Sequence, residues 1–88
     1  MGKVALITGG TQRIGRSISK SLAENGYDIL VHFHSDILGA NEVVEYARSL
    51  GVQAHSIQAN LLNDNEILDL IPKSKELIGK PLTLLINN

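Results

Sequence analysis

Two hydrophobic periods alternate along this chain, and that alternation narrows the folds open to it. Residues 3–7 (KVALI) form a short apolar run with β-branched Val4 and Ile7, ended by Thr8-Gly9-Gly10. From Ile14 the spacing changes. Ile14, Ile18 and Leu22 recur every fourth residue with small Ser17, Ser21 and Ala23 between them, and Asn25-Gly26 closes that helical face. Residues 28–33 (DILVHF) read as a second strand. Ala40, Val43, Val44, Ala47 and Leu50 then repeat at three and four, and Gly51 stops that helix. Residues 52–57 read as a third strand. Asn63 or Asp64 is expected to cap a third helix carrying Ile67, Leu70, Ile71, Leu77 and Ile78. Pro72 falls inside it, which predicts a kink, or a break where Pro72 opens a second helical piece, because an interior proline costs about 3 kcal/mol. After the turn Gly79-Lys80-Pro81, residues 82–86 (LTLLI) read as a fourth strand. Strand and helix thus alternate three times before a last strand. The expected fold class is α/β, a doubly wound parallel sheet whose short right-handed crossovers give the order 3-2-1-4.

Composition excludes several function classes. Eight Lys+Arg against nine Asp+Glu leave a formal net charge of −1, which provides no basic footprint for a nucleic acid. No apolar run approaches the roughly 18 residues needed to span a bilayer, so no membrane partner is expected. The absence of cysteine removes disulfides, thiolate metal sites and cysteine nucleophiles. Met1-Gly2-Lys3 runs directly into the first strand without the layout of a cleavable signal, and the expected location is cytoplasmic. At 88 residues the chain is one domain's worth at most. Residues 82–86 read as a strand buried on both faces, yet only Asn87 and Asn88 follow. An apolar strand with an unpaired edge is an aggregation liability. Residues 1–88 are therefore expected to be the N-terminal part of a single larger domain, completed by the remainder of the same protein or by a companion chain.

The site signal is Thr8-Gly9-Gly10-Thr11-Gln12-Arg13-Ile14-Gly15, set between the first strand and the first helix. A helix start offers unpaired N–H groups and a partial positive charge, a natural seat for phosphate. Gly9 and Gly10 allow a tight turn and a close backbone approach, and Gly15 permits close helix–sheet packing. The missing Gly-Lys-Ser/Thr disfavours a mononucleotide P-loop. Arg13 adds a full charge and a planar donor fork suited to phosphate. At the end of the second strand stand His32-Phe33-His34-Ser35-Asp36, where a dinucleotide site of the NAD type places an acid about 20 residues beyond the glycines. Phe33 and His34 are not acidic, and His34 and Ser35 can donate to a phosphate. Asp36, one register away, is the residue that would instead favour NAD. His32 and His34 share a strand face, but two histidines without a third beside them are a weak metal signal, so no metal site is expected.

This octapeptide resembles the T-G-x-x-x-G-x-G motif of the short-chain dehydrogenase/reductase superfamily, and Leu85-Ile86-Asn87-Asn88 resembles the start of its N-N-A-G motif. The resemblance covers all 88 residues and corresponds to about the first third of a family member. Arg13 in place of the middle glycine, together with His32-Phe33-His34, is similar to the pteridine reductase branch. That branch has an arginine where this chain has Ser35, so one expected phosphate ligand is absent. The resemblance implies a Rossmann-type sheet and cofactor contacts from Gly9, Arg13, Ile14, Gly15, His34, Ser35, Asn60, Leu61 and Asn88. Arg13 would lie near the 2′-phosphate of NADP, and Asn60-Leu61 along the adenine edge. NADP is the expected cofactor, ahead of NAD.

The implied activity is hydride transfer to a carbonyl or pteridine-type small molecule. The alternatives are a 3-oxoacyl thioester reductase of the same superfamily and a non-catalytic nucleotide-binding or regulatory module. The superfamily's Tyr-x-x-x-Lys pair is not matched: Val31 follows Tyr27 and Leu50 follows Tyr46 at the fourth position. No catalytic residue is therefore expected in this chain, and it is not expected to be active alone. The complete protein is expected to be a homo-oligomer, as family members commonly are.

Overall fold

The structure, a computed structural model, describes residues 2–60 and 64–87, with the backbone alone for residues 64–68. Seven elements follow one another: β1 (Val4–Thr8), α1 (Arg13–Glu24), β2 (Asp28–Phe33), α2 (Ile37–Ser49), β3 (Ala54–Gln58), α3 (Asp64–Ile78) and β4 (Leu84–Asn87). All strand pairs are parallel, and the sheet order is β3-β2-β1-β4, the order expected from the alternation. This is a Rossmann-type α/β fold.

The pleat of β1 and β2 sorts their apolar side chains into two cores. Ala5, Ile7, Ile29 and Val31 face α1 and α2, joining Ala23, Val43, Val44, Ala47 and Ala54. Val4, Leu6 and Leu30 face the other way, with Ile57, Ala59, Leu70 and Ile78. Burial on both faces explains why β1 and β2 read as continuous apolar runs rather than as alternating ones.

The helices bury narrower faces than their apolar spacing suggests. In α1 the fully buried positions are the small residues Gly15, Ser19 and Ala23, with Ile18 and Leu22 half-buried beside them. Ile14, expected on the core face, is 69% exposed. A row of small side chains lets α1 sit close to the sheet, and Ile14, at its first turn, overhangs the strand ends instead. In α3 the buried row is Leu70, Ser74 and Ile78, and Ile71 and Leu77 face outward. The Ile67 side chain and the Asn63 cap lie outside the described residues. The chain does not break at Pro72; one helix runs through it, and the Ser74 hydroxyl donates to the Leu70 carbonyl at 2.6 Å. Leu50, expected to pack, is the exposed C-cap of α2.

β2 keeps the bounds expected for it, while β1, β3 and β4 shift by one to two residues from their apolar runs. β4 differs in another respect. Among the described residues it pairs with β1 alone, with Leu84 and Ile86 half-buried on the α1–α2 side. Leu85 is 50% exposed, so β4 is not buried on both faces as its sequence suggests.

Candidate functional site

Parallel strands direct all their carboxyl ends to one edge of the sheet, and the first crossover turns there. Gly9, Thr11, Gln12, His32, Phe33, His34, Ser35 and Asp36 line a crevice of about 270 Å³ beyond the ends of β1 and β2. A second hollow of about 330 Å³ adjoins it, lined by Gly9, Gln12, Arg13 and Ile14. Gly9 and Gln12 belong to both, so the two hollows form one surface running from the start of α1 to the end of β2.

The floor of this surface is the glycine turn. Gly9 has φ +58°, a left-handed conformation that glycine adopts without penalty. Gly10 is glycine for a different reason. A Cβ there would lie 2.9 Å from Ser19 Oγ and from Val31 Cγ1, and 3.0 Å from the Ile7 carbonyl oxygen. Ser19, fully buried in α1, donates its hydroxyl to the carbonyls of Gly10 (3.1 Å) and Gly15 (2.8 Å), which ties the helix to the turn. Thr8 Oγ1 reaches the Ile86 carbonyl at 3.3 Å and Asn87 Oδ1 at 3.2 Å, joining the ends of β1 and β4.

The start of α1 is open. Its N-cap, Gln12, makes no side-chain capping bond, and no acidic residue stands in the first turn. Helix-start amides without a side-chain cap, beside an exposed arginine, form a region of positive potential. Arg13 itself has φ +47°. That is the left-handed region, uncommon for a side chain of this size and costing roughly 1–2 kcal/mol. It is the position of the middle glycine in the motif this sequence resembles.

The far wall is the end of β2. His34 and Ser35 are exposed and line the crevice, and the His34 carbonyl accepts from Gln58 Nε2 at 2.8 Å. Asp36 also borders the crevice, but its carboxylate is engaged. It is the N-cap of α2 and accepts from the Gly39 amide at 2.9 Å. A Cβ on Gly39 would come within 2.2 Å of Asp36 Oδ2, so a side chain at 39 would force the carboxylate to shift from this position.

The structure thus gathers Gly9, Arg13, Ile14, His34 and Ser35 from the sequence-derived set. Gly15 is a buried residue of α1 and is not among the described residues lining either hollow. Asn60 is half-buried two residues beyond β3, and neither hollow counts it among its described lining residues. Leu61 and Asn88 lie outside the described residues. Sequence reasoning passed over Thr11 and Gln12 as lining residues. It also passed over the cap at Asp36, although an aspartate immediately before a helix is itself a capping signal. No group of three His, Asp or Glu side chains able to hold a metal is present among the described residues. His55 is half-buried on β3. Neither tyrosine borders the crevice. Tyr27 precedes β2, at the opposite edge of the sheet, with Lys3 Nζ 5.7 Å from its ring centroid. Tyr46 links α2 to α1: its hydroxyl donates to the Glu24 carboxylate, which raises its pKa, and Lys20 Nζ lies 4.9 Å from the ring centroid.

Comparison with known proteins gives consistent matches. The family model described as short chain dehydrogenase matches residues 3–88. A 3-oxoacyl-[acyl-carrier-protein] reductase FabG of Staphylococcus epidermidis is 38% identical over 88 residues, all of this chain and 36% of that protein. Among solved structures, acetoin dehydrogenase YohF from Salmonella typhimurium superposes with a TM-score of 0.90 at 35% identity, over 98% of this chain and 35% of the other. FolM alternative dihydrofolate reductase 1 from Brucella suis, in complex with NADP, superposes with a TM-score of 0.86 at 28% identity, over 94% of this chain and 34% of the other. The chain spans about a third of the length of the curated relatives it matches.

Proposed function

Because the chain belongs to the short-chain dehydrogenase family, with the family model matched over residues 3–88, we propose that it is the N-terminal, cofactor-binding part of a longer NADP-dependent reductase. The observation that carries this reading is the uncapped start of α1, with exposed Arg13 beside it, opening onto a crevice that ends at His34 and Ser35. An anionic dinucleotide fits that donor set: helix-start amides for the pyrophosphate and the Arg13 guanidinium for a ribose phosphate. Ile14 supplies apolar cover over the same hollow. Asn60 and Leu61 are assigned to the adenine edge and Asn88 to the coenzyme's inner side, from the family resemblance.

The engagement of Asp36 supports NADP over NAD. A carboxylate held in the α2 cap is not presented to a ribose 2′-hydroxyl, and His34 and Ser35 beside it are donors. Bound here, the reduced coenzyme supplies the hydride for a carbonyl or imine-type acceptor. This chain's residues bind the coenzyme and orient it. The proton-donating tyrosine–lysine pair belongs to the remainder of the protein, in keeping with the remoteness of Tyr27 and Tyr46 from the crevice. The complete protein is proposed to act on a small molecule as a homo-oligomer.

Two substrate classes have support. Arg13 and His32-Phe33-His34 favour a pteridine, and the FolM structure is a relative whose name describes a dihydrofolate reductase. The identity to the 3-oxoacyl reductases favours a 3-oxoacyl thioester. The test is titration of the intact protein with NADPH and NADH, followed by NADPH oxidation in the presence of a dihydropteridine or an acetoacetyl thioester. Tighter binding of NADPH and turnover of one acceptor are expected. Binding without turnover of any carbonyl would identify a regulatory module, and failure to bind either coenzyme would defeat the reading.

A further inference from the structure

His32 is 5% exposed at the end of β2, and both of its ring nitrogens are engaged. The Gly9 amide donates to Nδ1 at 2.9 Å, and Nε2 lies 2.8 Å from the Ala59 carbonyl. The Gly10 amide donates to the backbone carbonyl of the same residue at 3.0 Å. An imidazole that accepts at Nδ1 and faces a carbonyl with Nε2 is the neutral tautomer with its hydrogen on Nε2. One side chain therefore spans the sheet edge, joining the glycine turn after β1 to the chain leaving β3.

Two consequences follow for the crevice. The amides of Gly9 and Gly10 are directed at His32, so an anion must be received further along, by the amides that open α1. The turn that carries those amides includes a left-handed glycine and a left-handed arginine, and its ties are the His32 bonds on the strand side and the Ser19 hydroxyl on the helix side. We propose that His32 is a positioning residue for dinucleotide binding, its neutral imidazole fixing the glycine turn against the end of β3 so that the start of α1 meets the coenzyme phosphates. This rests on the dinucleotide reading given above and adds a specific residue to it.

Asparagine and leucine at position 32 separate the roles. The Oδ1 of Asn occupies nearly the place of Nδ1 and keeps the Gly9 acceptor; leucine keeps bulk and removes both bonds. In the intact protein, His32→Leu is expected to weaken NADPH binding about tenfold, the size of one lost buried hydrogen bond, with kcat at saturating NADPH within about twofold of wild type. His32→Asn is expected to stay within about threefold of wild-type affinity. Nitrogen-15 spectra of the coenzyme-free protein read the geometry directly: protonated Nε2, bare Nδ1, and a coupling across the hydrogen bond from the Gly9 amide. Unchanged NADPH affinity in His32→Leu, or a deficit in His32→Asn equal to that of leucine, overturns the proposal. So does a spectrum with the hydrogen on Nδ1. If His32→Leu does not fold, the asparagine variant and the spectrum decide. If the wild-type protein binds neither coenzyme, the dinucleotide reading fails on its own, and the spectrum still reports whether the imidazole holds the turn.

Discussion

At the scale of single residues, Arg13 carries two opposed effects. Its guanidinium suits a phosphate, but its backbone lies in a region that costs a side-chain-bearing residue about 1–2 kcal/mol. Replacing it with glycine relieves that strain and adds some freedom to the unfolded chain. Arg13→Gly is therefore expected to equal or exceed wild-type stability, by up to about 1 kcal/mol in urea unfolding, while its NADPH affinity falls. A clear loss of stability would show that the arginine side chain anchors the turn. The charge of Arg13 was legible in the sequence; the strain beneath it became visible only with the backbone. Asp36 shows the converse. Its carboxylate is drawn into the α2 cap because Gly39 leaves room for it. Gly39→Ala fills that room and should release the carboxylate toward the crevice, at a cost of about 1 kcal/mol for the lost cap. The ratio of NADPH to NADH affinity is expected to fall. An unchanged ratio would mean that Asp36 does not influence coenzyme choice.

At the scale of elements, apolar spacing located every helix and strand but misjudged which residues they bury. In α1 the four-residue row beginning at Ile14 suggested a core of large side chains. The buried row is Gly15, Ser19 and Ala23, because α1 lies close to a sheet whose own side chains already fill the layer. Gly15→Val should therefore cost about 1–3 kcal/mol through overpacking and weaken both coenzymes alike, measured by unfolding and by titration. Full stability would remove Gly15 from the helix–sheet contact. A contact joining distant elements escaped the sequence altogether. Lys80, in the turn before β4, pairs with Asp28 at the start of β2. Burial pushes the Asp28 carboxyl up, but the Lys80 ammonium and the Gln53 amide outweigh it and hold the group below the usual carboxylate value. A carboxyl lowered in the folded state stabilises the fold at neutral pH, and that contribution is lost as pH falls through the folded value. Lys80→Met should thus cost about 1 kcal/mol near pH 7, and the difference should shrink as acid protonates Asp28. A deficit constant across the acid range would exclude the ion pair as its origin.

At the scale of the whole molecule, the strand order was legible because alternation, short connections and crossover handedness leave few arrangements of four parallel strands. The placement of the crevice was legible too, since the glycine-rich turn sits where β1 hands over to α1 at the carboxyl edge of the sheet. The sequence could not reveal how that turn is held. The bonds from Gly9 and Gly10 to His32 span more than twenty residues and follow from the register of β1 against β2. The central claim is that the start of α1, with Arg13, receives the phosphates of NADP. Calorimetric titration of the intact protein and of Arg13→Ala with NADPH and with NADH tests it most directly. The account predicts that the variant loses about tenfold or more for NADPH, the worth of a charge-assisted bond, and little for NADH. Equal losses for the two coenzymes, or none for either, would contradict it.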